Sequence, residues 1–95
     1  MITQETKRRV ESLFPKPEWG TVISLLSTRC AQNLPGLASC SSEELERFQF
    51  AVLKISSGQL SKFYQAIDLA NTDWRDLLMV AGFGEDLNAH KSWLA

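Results

Sequence analysis

Residues 41–56, SSEELERFQFAVLKIS, decide the fold class of this chain. Apolar side chains recur in this stretch at intervals of three and four residues, which is the spacing of one face of an α-helix. That face consists of Leu45, Phe48, Val52 and Ile55. Phe50 and Leu53 lie on another side, and a helix that is apolar on more than one side is usually buried. We therefore predict an all-α fold in which the segment 41–56 is central.

The same stretch carries a helix start signal. Ser41 stands three residues before Glu44, which is the spacing of a capping box. In that motif the hydroxyl accepts a hydrogen bond from a backbone amide of the first turn, and the carboxylate accepts one from the amide of the cap residue. The central helix is thus expected to begin at Ser41.

Proline, glycine and short polar runs divide the rest of the chain into further helices. Pro15 and Pro17 end the first segment, and Pro17 also suits the first position of the next helix. Pro35-Gly36 ends the second segment, and Thr72 and Asp86 are the predicted caps of the last two. The additional helices are predicted over residues 3–14, 17–33, 59–70, 73–81 and 87–93. We expect a compact bundle of five to six short helices forming a single domain, 1–95.

Charge and composition exclude several classes of protein. The chain has 95 residues and a net charge of −1, whereas a nucleic-acid binder usually has a basic face. We interpret the basic run Lys7–Arg9 as the solvated face of the first helix. The polar opening Met1–Arg9 does not resemble a signal peptide, and no uncharged run reaches the length of a membrane span. A cytoplasmic protein without a membrane partner is expected, and nucleic acid is a disfavoured partner.

The residues that carry chemistry are few. Cys30 is interpreted as a small core residue, and Cys40 is a candidate nucleophile because it precedes a helix start. Two cysteines and one histidine without a CxxC motif do not predict a zinc site, and no phosphate-binding loop is present. We expect no cofactor and no metal. The remaining acids of interest are Asp73, Asp76, Glu85 and Asp86.

Three tryptophans are the most unusual feature of the composition, because tryptophan is enriched at binding hot spots. Trp19 and Trp74 are interpreted as the starts of core stripes, whereas Trp93 is expected to be partly exposed. His90 is interpreted as a surface histidine that leans on Trp93. The candidate partner-binding residues are Trp74, Phe83, His90 and Trp93.

Three functions remain open at this point. The favoured hypothesis is a helical protein-interaction module without catalytic activity, which binds another protein or a second copy of itself. The first alternative is a helix-turn-helix DNA-binding regulator built from segments 41–56 and 59–70, with Gln59, Ser61, Lys62 and Gln65 facing the DNA. The second alternative is a small enzyme or enzyme subunit that uses Cys40, His90 or the late carboxylates.

Overall fold

The computed structural model describes residues 2–30, 42–85 and 89–93, and within these ranges it is all-helical. The described part has no strand, which confirms the predicted fold class. No helix in the described ranges is long and apolar enough to cross a membrane. The elements are α1 (Gln4–Leu13), α2 (Lys16–Arg29), α3 (Ser42–Ser56), α4 (Leu60–Thr72), α5 (Trp74–Ala81) and a 3₁₀ turn (Ala89–Ser92).

Several predicted boundaries shift by a few residues. Pro17 is the second rather than the first residue of α2, and this helix ends at Arg29 instead of continuing to residue 33. The cap of α5 is Asp73, whose carboxylate accepts hydrogen bonds from two first-turn amides, and Thr72 instead closes α4. The predicted signals at Ser41, Pro35-Gly36 and Asp86 lie outside the described residues.

Helix α3 is the centre of the bundle, as its sequence predicts. It packs against α1, α4, α5 and the 3₁₀ turn. Consecutive positions along it are buried on different sides, because each side faces another helix. The buried apolar residues of α3 are Phe48, Phe50, Ala51, Val52 and Leu53. Leu45 and Ile55, which belong to the predicted stripe, are only partly buried.

A polar side chain of α3 completes the end of α2. Gln49 is buried, and its Nε2 donates to the carbonyl oxygens of Leu26 (3.4 Å) and Cys30 (3.1 Å). The Leu26 carbonyl also accepts from the Cys30 amide (3.3 Å), whereas the last carbonyls of an α-helix have no partner within the helix and need donors from elsewhere. Asn71 of α4 supplies another donor, from its Nδ2 to the carbonyl oxygen of Arg29 (2.8 Å). The end of α2 is therefore finished by side chains of two other helices.

The end of α5 is finished in a similar way. Gly82 adopts the left-handed conformation (φ 81°) that commonly terminates a helix. Lys54 Nζ donates to the carbonyl oxygen of Ala81 (2.8 Å), and Arg47 Nε donates to that of Phe83 (2.8 Å). Both donors come from α3, which fixes the segment after α5 against the central helix.

The turn between α3 and α4 presses against the end of α1. Ser57 and Gly58 both have positive φ, 51° and 80° respectively. The backbone of Gly58 approaches the Leu13 carbonyl so closely that a Cβ at residue 58 would overlap the carbonyl oxygen. Glycine is needed here for two reasons, the left-handed backbone and the absence of a side chain.

Candidate functional site

Three of the four predicted partner-binding residues meet around Phe50 of α3. The rings of Phe50 and His90 have centroids 5.1 Å apart, and those of Phe50 and Trp93 are 5.8 Å apart, both in edge-to-face geometry. Phe83 lies 6.3 Å from Trp93 and 6.4 Å from His90. The fourth residue, Trp74, is separate from this cluster.

Trp74 packs on the other side of α3. Its ring lies 5.4 Å from that of Phe48 and is covered by the guanidinium group of Arg75, 5.0 Å from its centroid. Phe48 and Phe50 are two residues apart on a helix, so their side chains point in different directions. This is why the two tryptophans Trp74 and Trp93 do not share a surface.

The interpretation of His90 as a surface residue is wrong. The 3₁₀ turn folds back onto α3, and the imidazole is fully buried against Phe50 and Phe83. Its Nε2 lies 3.1 Å from Glu46 Oε1. Since an ionised carboxylate only accepts hydrogen bonds, Nε2 is the protonated nitrogen when Glu46 is charged. His90 thus attaches the 3₁₀ turn to the central helix.

Glu46 connects the N-terminal end of α1 to His90 and the 3₁₀ turn. Its second oxygen, Oε2, accepts a hydrogen bond from the Thr3 hydroxyl at 2.5 Å. The Thr3 hydroxyl has one proton, and it donates that proton to the carboxylate. It must therefore accept from the Thr6 hydroxyl (3.0 Å) and from the Thr6 amide (3.2 Å). Both oxygens of Glu46 have structural partners.

Arg9 closes the cluster from the side of α1. Its guanidinium carbon lies 5.1 Å from the centre of the Phe50 ring and 5.9 Å from that of Trp93, and Nη2 donates to the Trp93 carbonyl oxygen (3.1 Å). The side chain is only 14% exposed and also lies near Glu5 (3.6 Å). The interpretation of Lys7–Arg9 as a solvated face is therefore wrong for Arg9, although the other two residues are exposed.

A cleft opens between these elements. Its volume is about 210 Å³, and it is lined by Glu5, Arg9, Glu46, Phe50 and Lys91. This is smaller than the roughly 300–1,000 Å³ of typical small-molecule pockets, so its size suits a single side chain better than a cofactor. Two acids and two bases surround one aromatic ring, which gives the cleft a rim of mixed charge and an apolar floor.

The candidate catalytic groups do not form a reactive constellation within the described residues. Cys40 and Asp86 lie outside the described ranges, and the carboxylate of Asp73 is used as the cap of α5. His90 is buried and bound to Glu46. Nowhere in residues 2–30, 42–85 and 89–93 do three or more histidine, cysteine or acidic side chains gather as metal ligands. Cys30 is fully buried, as predicted for a core residue.

The helix pair that motivated the DNA-binding hypothesis is present as α3 and α4. The outward face of α4 consists of Ser61, Lys62, Tyr64, Gln65 and Asp68, all exposed. This face carries one cation and one anion, and it therefore lacks the positive field that attracts a phosphate backbone. The most exposed large apolar residues of the described ranges are elsewhere, on α5, where Met79 is 71% and Val80 61% exposed.

Comparison of the chain with protein families, curated proteins and solved structures found no match. Sequence reasoning missed Arg9, Glu46 and Phe50 as members of this site. The available signal was the spacing of Glu46 and Phe50, which places both on one face of α3.

Proposed function

We propose that this chain is a small helical protein-interaction module without catalytic activity, and that the cleft beside Phe50 is its binding surface. The observation that supports the proposal is the composition of the cleft. Aromatic residues and arginine are enriched where protein partners bind most strongly, and charged groups are found at the rim. Here Phe50 forms the floor, Arg9 forms a wall, and Glu5 and Lys91 lie on the rim.

The predicted partner-binding residues take different parts in this surface. Trp93 is half-buried, and its ring contacts Arg9, which lines the cleft. Phe83 and His90 are buried, and they pack against each other beneath Trp93 and so support the residues beside the cleft. Trp74 belongs to the other side of α3 and is not part of the proposed surface.

The partner that fits is a polypeptide with one apolar or aromatic side chain and charged neighbours. A ring placed in the cleft would lie next to the guanidinium of Arg9, which favours aromatic faces. Glu5 and Lys91 give the rim of the cleft one acid and one base. The cytoplasmic location expected from the sequence stays a prediction, as does the choice between another protein and a second copy of this chain.

Site-specific photocrosslinking tests the proposal. A benzophenone amino acid is placed in the full chain at Glu5, on the rim of the cleft, and in a matched control at Lys62, on the outward face of α4. We expect the first variant to form one defined adduct in cells and the second not to form it. The adduct should weaken in a variant that also carries Arg9→Lys, which keeps the charge of the wall of the cleft but removes its planar guanidinium group. Equal adducts from both positions, or none from Glu5, would refute the proposal.

A further inference from the structure

One side of the cluster around Phe50 is covered by a very short element. The 3₁₀ turn Ala89–Ser92 and the following Trp93, together called the strap, lie over Phe50 and Phe83. Within the strap the backbone bond from the Trp93 amide to the His90 carbonyl (3.1 Å) closes the turn. A turn of this length has little stability of its own, so its position depends on contacts with α1 and α3.

Polar contacts and ring packing hold the strap. The polar contacts include that of His90 Nε2 with Glu46 (3.1 Å) and the hydrogen bond from Arg9 to the Trp93 carbonyl oxygen (3.1 Å), and Lys91 makes a further interaction. The packing is that of His90 and Trp93 on Phe50 and Phe83. The strap can therefore leave without breaking any helix.

The contact between the strap and its neighbours also contains buried polar atoms that have no hydrogen-bond partner. Among the described residues, two buried side-chain polar atoms lack a hydrogen-bond partner, Arg9 Nε and His90 Nδ1. Both belong to the contact between the strap and its neighbours. A buried polar atom without a partner has lost its bond to water without replacement, and each such atom in a native protein calls for a physical explanation. Both atoms would regain water if the strap moved away.

We infer that the strap is a displaceable cover of the binding surface, and that an aromatic side chain of the partner takes the place of Trp93. This inference rests on the proposed function of the cleft. Trp93 shows which groups fit on the surface of Phe50 and Arg9. Its ring lies at an angle of 71° to that of Phe50 and beside the guanidinium group of Arg9, and Arg9 donates a hydrogen bond to its main-chain carbonyl. The partner segment is thus a peptide with an aromatic residue whose own carbonyl replaces that of Trp93.

Hydrogen exchange of the unmodified full chain provides the first test and needs no partner. The amide of Trp93 should exchange at least about 100-fold faster than the amide of Leu53 in the core of α3, because the strap opens while the helices remain folded. If the Trp93 amide exchanges at the rate of the α3 amides, the strap opens only when the whole fold opens, and the inference is wrong.

A small molecule tests whether the surface of Phe50 and Arg9 that Trp93 covers can bind an aromatic group. The probe is N-acetyl-tryptophanamide, which has one indole ring and adjoining carbonyls. It is titrated into the full-length variant Trp93→Ala and into the unmodified chain. The NMR signal of the Arg9 Nε–H group is followed in both titrations. We expect the signal to shift in the variant at concentrations at least tenfold lower than in the unmodified chain. Lys62→Ala is the matched control and should behave like the unmodified chain. Equal responses, or none in the variant, would contradict the inference.

The crosslinking experiment separates failure of the strap from failure of the cleft. With the photoreactive residue at position 5, the additional change Trp93→Ala should increase the yield of the partner adduct, because the cover is removed. A decreased yield would show that Trp93 is a fixed contact, so the strap inference fails while the cleft remains the binding surface. If no chain with the crosslinker at position 5 gives an adduct, the proposed function itself fails.

Discussion

Replacing glycine by alanine should have opposite effects at two positions of this chain. At Gly58 the backbone is left-handed (φ 80°), and an added Cβ would overlap the carbonyl oxygen of Leu13 at the end of α1. At Gly20, in the interior of α2, no atom lies within 4 Å of the position that a Cβ would take. The chemical change is the same, and only the surroundings differ.

The two effects can be estimated from these surroundings. A left-handed backbone costs a non-glycine residue about 1–2 kcal/mol. Moving a helix end to relieve the overlap at Gly58 costs about 1–3 kcal/mol, as for other overpacked sites. We expect Gly58→Ala to lower the free energy of unfolding by about 3 kcal/mol, a large part of the roughly 5–15 kcal/mol typical of a domain. Gly20→Ala should raise it by about 0.5–1 kcal/mol, because alanine is the better helix former.

Thermal and urea unfolding followed by circular dichroism at 222 nm measure both changes. In a domain of this size the melting temperature of Gly58→Ala should fall by roughly 12–24 °C, while that of Gly20→Ala should rise by a few degrees. A loss below about 1 kcal/mol for Gly58→Ala would show that the α3–α4 turn does not press on Leu13. Destabilisation by Gly20→Ala would show that the space around residue 20 is not open.

Three further substitutions, with Asp68→Ala as a control, test other contacts by urea unfolding at neutral pH. Gln49→Ala removes a buried donor to two carbonyls at the end of α2 and should cost about 1–2 kcal/mol, because the hydrogen bonds are lost while the Leu26 carbonyl keeps its bond from the Cys30 amide. A loss below about 0.5 kcal/mol would contradict that role. Asp73→Ala removes the cap of α5 and should lower the free energy of unfolding by about 1 kcal/mol. The control Asp68→Ala changes a side chain that is 72% exposed and should alter stability by less than about 0.5 kcal/mol. Equal losses would show that the cap hydrogen bonds do not stabilise the protein. Ser57→Gly relieves a left-handed backbone and should stabilise by about 0.5 kcal/mol, and any loss would contradict strain at this residue.

The features that the sequence predicts well are local. The apolar pattern of residues 41–56 can be read without knowing the rest of the chain, since a helix places residues three and four apart on one face. The predicted ends of two helices, at residues 56 and 81, also follow from local signals, and the structure confirms both. The same reasoning placed the cap of α5 one residue too early, because Thr72 and Asp73 are both good cap residues.

The features that the sequence does not reveal depend on distant parts of the chain. Arg9 and Trp93 are 84 residues apart, and His90 and Glu46 are 44 apart. Whether a histidine is buried is decided by what folds over it, and the immediate neighbours of His90 are polar or small. The number of tryptophans led to the prediction that Trp74 and Trp93 both bind a partner. They lie on different sides of α3 because of the order in which the helices pack, and no local sequence pattern encodes that order.

The donation of hydrogen bonds from α3 to the ends of α2 and α5 has a consequence for the way the protein folds. Gln49 lies beyond the end of α2, and Lys54 precedes α5, so each helix end takes some of its donors from α3 in addition to the local amides of Cys30, Gly82 and Phe83. A peptide of either segment alone would fray, because helices of this length are marginal in water. Tertiary docking thus completes the secondary structure, and the bundle should form in a single cooperative step rather than helix by helix.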